Sequence, residues 1–277
     1  MVTSLDNSNT LQHISGLIVL AGAGKMGGAM LTGWLARGLD PKGVVVIEPA
    51  PSAEITALAA KGIRINPKSA SPADTLVIAL KPQTFRETGA ALKSFAGPST
   101  LTVSIMAGIT MASLQAVAGD TVVRAMPNTP AAIGRGITVA VAAGKVSAAQ
   151  RATADALLSA TGSVEWVDDE SLMDAVTAVS GSGPAYVFLL AEELARAGIA
   201  AGLPEELATK LARETVSGSG ELLHRSKLAA ATLRQNVTSP GGTTAAALSV
   251  LMGPDGLQQL MTRAVAAATA RSKELAK

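Results

Sequence analysis

The stretch "GLIVLAGAGKMGGAMLTGWLARG" at residues 16–38 decides the predicted fold. Its apolar run at 17–21 predicts a β-strand, and the amphipathic pattern that ends near Gly38 predicts a helix. Between them, residues 22–27 read G-x-G-x-x-G. In this position the first glycine permits a tight turn, the second lets a pyrophosphate approach the backbone, and the third lets helix and strand pack closely. The stretch therefore predicts the start of a Rossmann domain that binds a dinucleotide, with an ordinary strand–helix turn as the alternative.

The second predicted strand, "GVVVIEP", ends at Glu48, 21 residues beyond Gly27. An acidic side chain at this place accepts hydrogen bonds from the ribose hydroxyls of NAD and repels the additional phosphate of NADP. Against that role, the following loop could aim Glu48 away from the ribose, and Ser52 could contact a phosphate. The sequence therefore predicts NADPH or NADH as the cofactor, with a slight preference for NADH.

Short runs rich in β-branched residues alternate with helical segments as far as Val167. This alternation predicts an α/β fold in which helices cover both faces of a parallel sheet. From about residue 169 helical spacing dominates, with helices predicted at 184–201, 205–223 and 227–236 and two more after them. We therefore predict a flexible tail at residues 1–15, a dinucleotide-binding domain at 16–167 and an all-α domain at 168–277.

The composition argues against several classes of function. The 277 residues contain no cysteine and two histidines, so neither a disulfide nor a thiolate or histidine metal site is expected. Lysine and arginine are scattered singly and aromatic residues make up only 2%, which argues against nucleic-acid binding. The N-terminus lacks the pattern of a signal peptide, and no uncharged run reaches the ~18 residues of a membrane span. These features predict a soluble, cytoplasmic protein that does not bind membranes.

A second glycine-rich stretch, "NVTSPGGTT" at residues 236–244, leads into the apolar helical pattern "AAALSVL". Thr238 or Ser239 could cap this helix, with Pro240 at its first position. Capping does not require two glycines, which weaken a first helical turn by about 1 kcal/mol each. The backbone N–H groups of a glycine-rich helix N-terminus can instead bind an anion. The residues alone leave both interpretations open.

Taken together, these stretches resemble the pyrroline-5-carboxylate reductase family. The resemblance covers nearly the whole chain after the tail and rests on the order and spacing of "GAGKMGGAM" (22–30), "ALKPQ" (79–83), "SIMAGI" (104–109), "RAMPNTPAAIGRG" (124–136), "SGSGPAY" (180–186) and "VTSPGGTT" (237–244). It implies a Rossmann domain followed by an all-helical domain that interlocks with that of a second copy, giving a homodimer or a higher oligomer. It also implies reduction of Δ1-pyrroline-5-carboxylate, a small imino acid, to L-proline with NADPH or NADH.

The resemblance also implies roles for individual residues. Thr244 would orient the imine nitrogen and help to deliver its proton, as the catalytic residue. The substrate would bind at Ser239, Gly241, Gly242, Thr243 and Thr244, with its carboxylate at the helix N-terminus. The cofactor would lie against Gly22, Gly24, Lys25, Met26, Gly27, Glu48, Leu80, Lys81, Pro82, Ala107, Gly108 and Asn128. Lys25 departs from the family, whose members often carry Asn there.

Some of these cofactor residues also have a plain structural interpretation. Lys81 could be a solvated strand end whose backbone matters more than its ammonium group. Ala107 and Gly108 could form an ordinary turn, and Asn128 could cap its loop instead of contacting the nicotinamide ribose.

Two other functions compete with this interpretation. A β-hydroxyacid dehydrogenase shares the strand–glycine–helix opening, but its family places a catalytic lysine four residues after a G-x-G on the first long helix of the second domain. Here that position is Val187, and the predicted helix at 184–201 contains no lysine. A non-catalytic protein that senses dinucleotides would explain the glycine turn but not the Ser-Pro-Gly-Gly-Thr-Thr stretch.

Overall fold

A computed structural model describes residues 11–68 and 71–276 of the chain. These residues form two compact units. The first runs to Gly181 and also contains the C-terminal residues from Thr269 onward, and the second runs from Ser182 to Ala268. The first unit is built on a β-sheet and the second consists of helices, so the predicted fold class is confirmed.

The sheet of the first unit has eight strands in the described residues. They are β1 Ile18–Ala21, β2 Val44–Ile47, β3 Arg64–Ile65, β4 Ala73–Ile78, β5 Ala96–Ser104, β6 Val122–Met126, β7 Gly136–Ala142 and β8 Gly162–Val167. Their spatial order is β3-β2-β1-β4-β5-β6-β7-β8, and all neighbours are parallel except β6 and β7. The strand order reverses at β1, so β1, β2 and β4 end at the edge where ligands of open α/β sheets bind.

The helices of the first unit lie between these strands. They are α1 Lys25–Ala36, α2 Ala53–Ala57, α3 Pro82–Thr88, α4 Met111–Ala118, α5 Ala148–Leu158 and α6 Met173–Val176, followed by a π-helical segment at Thr177–Gly181. Short 3₁₀ turns lie at Pro41–Gly43, Leu58–Lys61, Gly89–Phe95, Thr129–Ile133, Ser159–Thr161 and Glu170–Leu172.

Two hydrophobic clusters form the core, one on each face of the sheet. In β1 they alternate as strand geometry requires, with Ile18 and Leu20 in one cluster and Val19 and Ala21 in the other. The indole of Trp34 in α1 is fully buried, and its Nε1–H donates a 2.8 Å hydrogen bond to the carbonyl of Leu157. Because both faces are buried, the strands read as continuous apolar runs rather than alternating ones.

The sheet differs from the prediction at its far edge. β7 runs antiparallel to β6, whereas the alternating pattern predicted a parallel sheet throughout. β8 pairs in parallel with β7 and ends at Val167, the residue at which the sequence predicts the end of the α/β pattern. The connection between β6 and β7, residues 127–135, is too short for the helical crossover that parallel pairing needs, which is why β7 reverses direction.

Both predicted domain limits also differ from the structure. Residues 1–10 of the predicted tail lie outside the described residues, but Leu11 is fully buried and its N–H donates to Arg37 O at 3.2 Å. The compact units divide at Gly181 rather than near Val167, because the intervening segment packs on the first unit. Within that segment Met173 is buried, and a Cβ on Gly181 would come within 2.5 Å of Met126 Cε.

The second unit contains α7 Gly183–Ala200, α8 Glu205–Arg225, α9 Ala230–Asn236, α10 Thr243–Leu251 and most of α11 Leu257–Leu275. α7 and α8 pack closely where small residues meet, since a Cβ on Gly198 would lie 3.2 Å from Ala208 Cβ. Within the described chain α7 and α10 bury no residue at all, and large apolar side chains such as Phe188 (68% exposed) face outward. None of the described helices combines the length and apolar character that a membrane span requires.

Candidate functional site

The three glycines of the first turn are needed for different reasons. Gly22 has a φ of +95°, and a Cβ there would lie 2.6 Å from Ala79 O. A Cβ on Gly27 would collide with the carbonyl of Gly22, so the close approach of α1 to the turn requires glycine. Gly24, in contrast, has no described atom within 4 Å of its Cβ position. Gly24 therefore leaves space for a ligand, whereas at Gly22 and Gly27 the neighbouring backbone leaves no room for a side chain.

The N-terminus of α1 opens onto that space. Gly24 is the N-cap residue and supplies no capping side chain, so the first N–H groups of the helix lack intrahelical acceptors. The side chain of Lys25 is exposed, and Met26 is half-buried against the core. Uncapped N–H groups and the helix dipole together fit a pyrophosphate.

Glu48 lies beside the same turn. Its Oε2 accepts a 2.9 Å hydrogen bond from Ala23 N–H, and its Oε1 accepts a 3.2 Å bond from Ala50 N–H. Ser52 Oγ accepts from Ile55 N–H at 3.2 Å and so caps α2. The loop after β2 therefore aims Glu48 at the glycine turn, which was one of the two possibilities that the sequence left open.

A cleft of about 880 Å³ begins at this turn and lies within the first unit. Gly24, Lys25, Glu48 and Ser52 contribute to its wall, together with small residues of α1. An open glycine, an uncapped helix N-terminus and an acidic side chain around one cleft fit the adenosine diphosphate half of a dinucleotide.

Asn66 was missed by the sequence interpretation, although it is directly bonded to Glu48. Its Oδ1 accepts from Glu48 N–H at 2.9 Å, and its Nδ2–H donates to Glu48 O at 2.8 Å. Asn66 also has a φ of +47°, and it is the only non-glycine residue in the described ranges with a positive φ. Asparagine is enriched at such angles, but a lone Asn before Pro67 gave no signal that could be tied to Glu48.

The remaining predicted cofactor residues lie at the ends of β4, β5 and β6. Leu80 is half-buried, Lys81 is the N-cap residue of α3 with an exposed side chain, and Pro82 is its first helical residue. The exposed side chain of Lys81 is compatible with a solvated strand end, and its role toward the cofactor stays a prediction.

The turn after β5 and the loop after β6 have structural roles of their own. Gly108 is buried with a φ of +68°, and its Cβ position lies 3.4 Å from Leu275 Cβ, while its neighbour Ala107 is half-buried. Asn128 Oδ1 accepts a 3.0 Å hydrogen bond from Ile137 N–H, so the side chain fixes the loop before β7. Gly108 and Asn128 therefore each stabilise the local backbone, Gly108 through its φ and Asn128 through its bond to Ile137, and their role in cofactor binding stays a prediction.

The second glycine-rich stretch forms the entry to α10. The helix begins at Thr243, with Gly242 as the N-cap residue and no side-chain cap, so the alternative with Ser239 as N-cap and Pro240 at the first helical position is wrong. Gly241 has a φ of +70°, and Gly242 N–H donates to Ser239 O at 3.1 Å, which turns the chain just before the helix.

This entry is accessible within the second unit. Ser239 and Thr243 are exposed and Thr244 is half-buried. The N–H groups of Thr243, Thr244 and Ala245 lack intrahelical acceptors, because the first bond of the helix runs from Ala246 N–H to Gly242 O, and they point out of its N-terminal end. The predicted substrate residues therefore surround an uncapped helix N-terminus that fits a carboxylate.

A partly buried ion pair in the first unit was not predicted. Arg124 in β6 is 5% exposed, and its Nη1 lies 2.6 Å from Glu170 Oε1. The same carboxylate oxygen accepts a 2.7 Å hydrogen bond from Met111 N–H at the start of α4. The pair attaches the segment after β8 to the sheet. Arg124 is the first residue of the motif at 124–136, but the sequence interpretation assigned it no role.

Comparisons with known proteins cover most of the chain and agree with one another. Residues 170–275 match the family described as pyrroline-5-carboxylate reductase dimerisation, and residues 17–108 match the one described as NADP oxidoreductase, coenzyme F420-dependent. The chain is 41% identical over 264 residues to the pyrroline-5-carboxylate reductase of Pseudomonas aeruginosa, covering 94% of this chain and 96% of that relative.

Solved structures give the same result. The pyrroline-5-carboxylate reductase of Coxiella burnetii superposes with a TM-score of 0.86 at 33% identity, covering 95% of this chain and 100% of the other. The pyrroline carboxylate reductase of Plasmodium falciparum, determined with NADP bound, gives 0.77 at 28% identity, covering 95% and 99%.

Proposed function

This chain belongs to the pyrroline-5-carboxylate reductase family, and we propose how its residues divide the reduction of Δ1-pyrroline-5-carboxylate to L-proline. The reaction is the last step of proline biosynthesis and uses NAD(P)H. In our proposal the first unit holds the cofactor, and the second unit holds the substrate and the dimer interface. The domain limits that follow are 11–181 with 269–276, and 182–268.

The cofactor side of the proposal rests on the turn at residues 22–27. The pyrophosphate binds the N–H groups at the start of α1 over Gly24, and Glu48 accepts hydrogen bonds from the adenosine ribose. The nicotinamide lies along the ends of β4 and β5, against the residues from Leu80 to Pro82 and at Ala107–Gly108, with Asn128 beside its ribose. When bound, NAD(P)H supplies the hydride that the imine carbon accepts.

The substrate side rests on the entry to α10, and this is the observation that carries the proposal. The helix begins at Thr243, its N-cap residue Gly242 supplies no side-chain cap, and its first two residues, Thr243 and Thr244, carry hydroxyl groups. The substrate carboxylate binds the N–H groups of Thr243 and Thr244 together with Ser239. Gly242 N–H is not available for this role because it donates to Ser239 O, and the φ of Gly241 makes that turn possible. An uncapped helix N-terminus has a clear role when it binds an anion, and it only lowers stability when it does not.

Thr244 orients the reacting nitrogen in this scheme. A cyclic imine accepts hydride readily once its nitrogen is protonated, so the protein has to hold the ring and its proton rather than supply a strong acid. The Thr244 hydroxyl can both donate and accept a hydrogen bond, which suits a group that keeps the proton on the imine nitrogen and accepts the N–H of the product amine.

We further propose that the enzyme uses NADH at least as well as NADPH. The Glu48 carboxylate is bonded to two backbone N–H groups beside the glycine turn, so it stays where the 2′-phosphate of NADPH would lie. Like charges at that distance disfavour the phosphate, whereas ribose hydroxyls can donate to the same oxygens.

The chain carries a dimerisation domain and therefore self-associates. As a member of this reductase family it acts on a small-molecule substrate. The finer proposal is a homodimer joined through the helices of the second unit, with higher oligomers built from it. Apolar side chains along α7 support this proposal, because Val187, Phe188, Leu189 and Leu190 are each about half exposed or more in one copy. The predicted cytoplasmic location stays a prediction.

Oxidation of NADH and NADPH by the purified enzyme with Δ1-pyrroline-5-carboxylate tests the function directly. We expect turnover with this imine, L-proline as the product, and no turnover with β-hydroxyacids and NAD⁺. Turnover with β-hydroxyacids alone would support the dehydrogenase alternative. Cofactor binding without turnover of either substrate would support the sensing alternative.

A further inference from the structure

The side-chain amide of Asn66 replaces a pair of backbone hydrogen bonds between strands next to Glu48. The parallel pairing of β2 with β3 ends at Val46 and Ile65, and Asn66 N–H donates to Val46 O at 2.9 Å. Beyond that point the side-chain amide of Asn66 continues the pairing. It bonds both the N–H and the C=O of Glu48, as a peptide group in a longer strand would do.

The conformation of Asn66 indicates that this arrangement is specific. Its φ of +47° is unfavourable for a residue with a side chain, and a following proline disfavours helical backbone angles further. Asn66 is also exposed, so burial of its side chain does not repay that strain. The two hydrogen bonds to Glu48 are the contacts that do so, and they fix the backbone from which the Glu48 side chain projects.

We propose that Asn66 is a positioning residue that sets the preference between NADH and NADPH by holding Glu48 against the glycine turn. This inference rests on the proposed role of Glu48 at the adenosine ribose. With the amide present, the Glu48 carboxylate stays bonded to Ala23 N–H and Ala50 N–H and opposes a 2′-phosphate. Without the amide, residues 48–50 gain backbone freedom, and the carboxylate can turn away from the phosphate.

Binding of NAD⁺ and NADP⁺ to the full-length protein, measured by titration calorimetry, tests this proposal without requiring turnover. The informative variant is Asn66→Gly, which tolerates the positive φ but lacks the amide. We expect the ratio of the two dissociation constants to shift toward NADP⁺ by about threefold to tenfold, the change that corresponds to the net loss of one hydrogen bond. Asn66→Asp keeps one acceptor for Glu48 N–H and should shift the ratio less.

Two further variants separate this proposal from the role of Glu48. Glu48→Gln should shift the ratio in the same direction, and adding Asn66→Gly to it should produce little more, because Asn66 acts through the carboxylate. Asp40→Ala is the matched control. Asp40 caps the turn before the other end of β2 by accepting from Lys42 N–H at 3.0 Å, so its loss loosens the same strand without freeing Glu48.

The outcomes are distinguishable. If Glu48→Gln shifts the ratio and neither Asn66 variant does, the positioning role is overturned while the role of Glu48 stands. If Asn66→Gly shifts the ratio but Glu48→Gln does not, the route through Glu48 is wrong. An equal shift in Asp40→Ala would mean that general loosening of β2 is responsible, and no shift in any variant would overturn both proposals.

Discussion

Gly24 and Gly27 belong to one turn, yet the structure requires glycine at only one of them for its own packing. A Cβ on Gly27 would collide with Gly22 O, whereas the space beside Gly24 is open in the described chain and its φ of −67° suits any residue. The fold therefore does not require glycine at position 24, and we propose that a bound ligand does. This distinction at the scale of a single residue can be tested by comparing the two positions.

We predict that Gly24→Val lowers cofactor affinity at least about a hundredfold, about 2.7 kcal/mol, because the side chain fills the space of the pyrophosphate. The thermal midpoint should change little. Titration of NADPH followed by fluorescence measures the affinity, and Gly27→Val is the matched control that should unfold the first unit. Unchanged affinity in a folded Gly24→Val protein would contradict the assignment.

The entry to α10 gives a second prediction for single residues. Thr244→Ala should lower kcat/KM by about one to two decades, since a neutral hydrogen bond contributes about 0.5–1.5 kcal/mol and proton positioning adds to it. Cofactor affinity should be unchanged, and Thr244→Ser should recover most of the rate. Steady-state kinetics with the imine measure the effect, and wild-type kinetics in Thr244→Ala would refute the catalytic role.

Gly242→Val should affect the same site in a different way. Its Cβ would lie 2.6 Å from Ser239 Oγ and so displace the side chain that we place on the carboxylate. We expect a steep rise in KM for the imine and an equal loss of inhibition by carboxylate-bearing proline analogues. An analogue without the carboxylate should discriminate little between this variant and the wild type.

At the scale of elements, the segment from β8 to α7 is fastened to the sheet by polar and small-residue contacts. Glu170 joins Arg124 of β6 to the start of α4, and Met126, two residues along the same strand, contacts Gly181. Residues two apart on a strand point to the same face, so one face of β6 holds both ends of the segment. The last turn of α11 adds a further attachment, as Ser272 Oγ–H donates to Asp174 Oδ1 at 2.6 Å.

Removal of one partner of the Arg124–Glu170 pair should be strongly destabilising. Glu170→Ala leaves a guanidinium that is 5% exposed without its carboxylate, which costs about 3–5 kcal/mol. Replacement of both partners, Arg124→Met with Glu170→Leu, should recover much of that loss. Urea unfolding at a fixed protein concentration measures these changes, with Asp120→Ala, in an exposed ion pair, as the control that changes little. A Glu170→Ala protein as stable as the wild type would contradict the argument.

At the scale of the molecule, the second unit exposes more apolar surface than a single copy accounts for. α7 buries no residue and α8 buries only Ala208 and Ala212 among the described residues. Gly183, Gly218 and Gly220 have no described atom within 4 Å of their Cβ positions, so close helix packing at these glycines requires another chain. Gly181 differs from these three glycines, because its Cβ position lies against Met126 within its own unit.

We predict an obligate dimer whose loss also abolishes activity. Phe188→Glu places a charge on the exposed face of α7 and should yield monomers or unfolded protein, because a charge in an apolar interface is costly. Light scattering at micromolar concentration measures the mass, and Lys93→Glu on the first unit is the control that should stay dimeric. A stable and active wild-type monomer would refute the prediction.

The sequence by itself determined those features that are encoded locally. The glycine turn, the buried strands, the long helices and the glycine-rich entry to α10 each follow from the period of apolar residues and from backbone angles that few residues adopt. Glu48 was predicted from its spacing alone, and the family followed from the order of the motifs.

Only the tertiary structure decided the features that depend on contacts between residues distant in sequence. The direction of the Glu48 side chain is fixed by hydrogen bonds from Ala23 N–H and Ala50 N–H, and contacts that include the Arg124–Glu170 ion pair hold the segment after β8 on the first unit. The surroundings of Gly108 also depend on a distant residue, because its Cβ position lies 3.4 Å from Leu275 Cβ near the other end of the chain. Local propensity constrains the backbone of a few neighbouring residues, whereas the direction of a side chain depends on whichever partners the fold brings beside it.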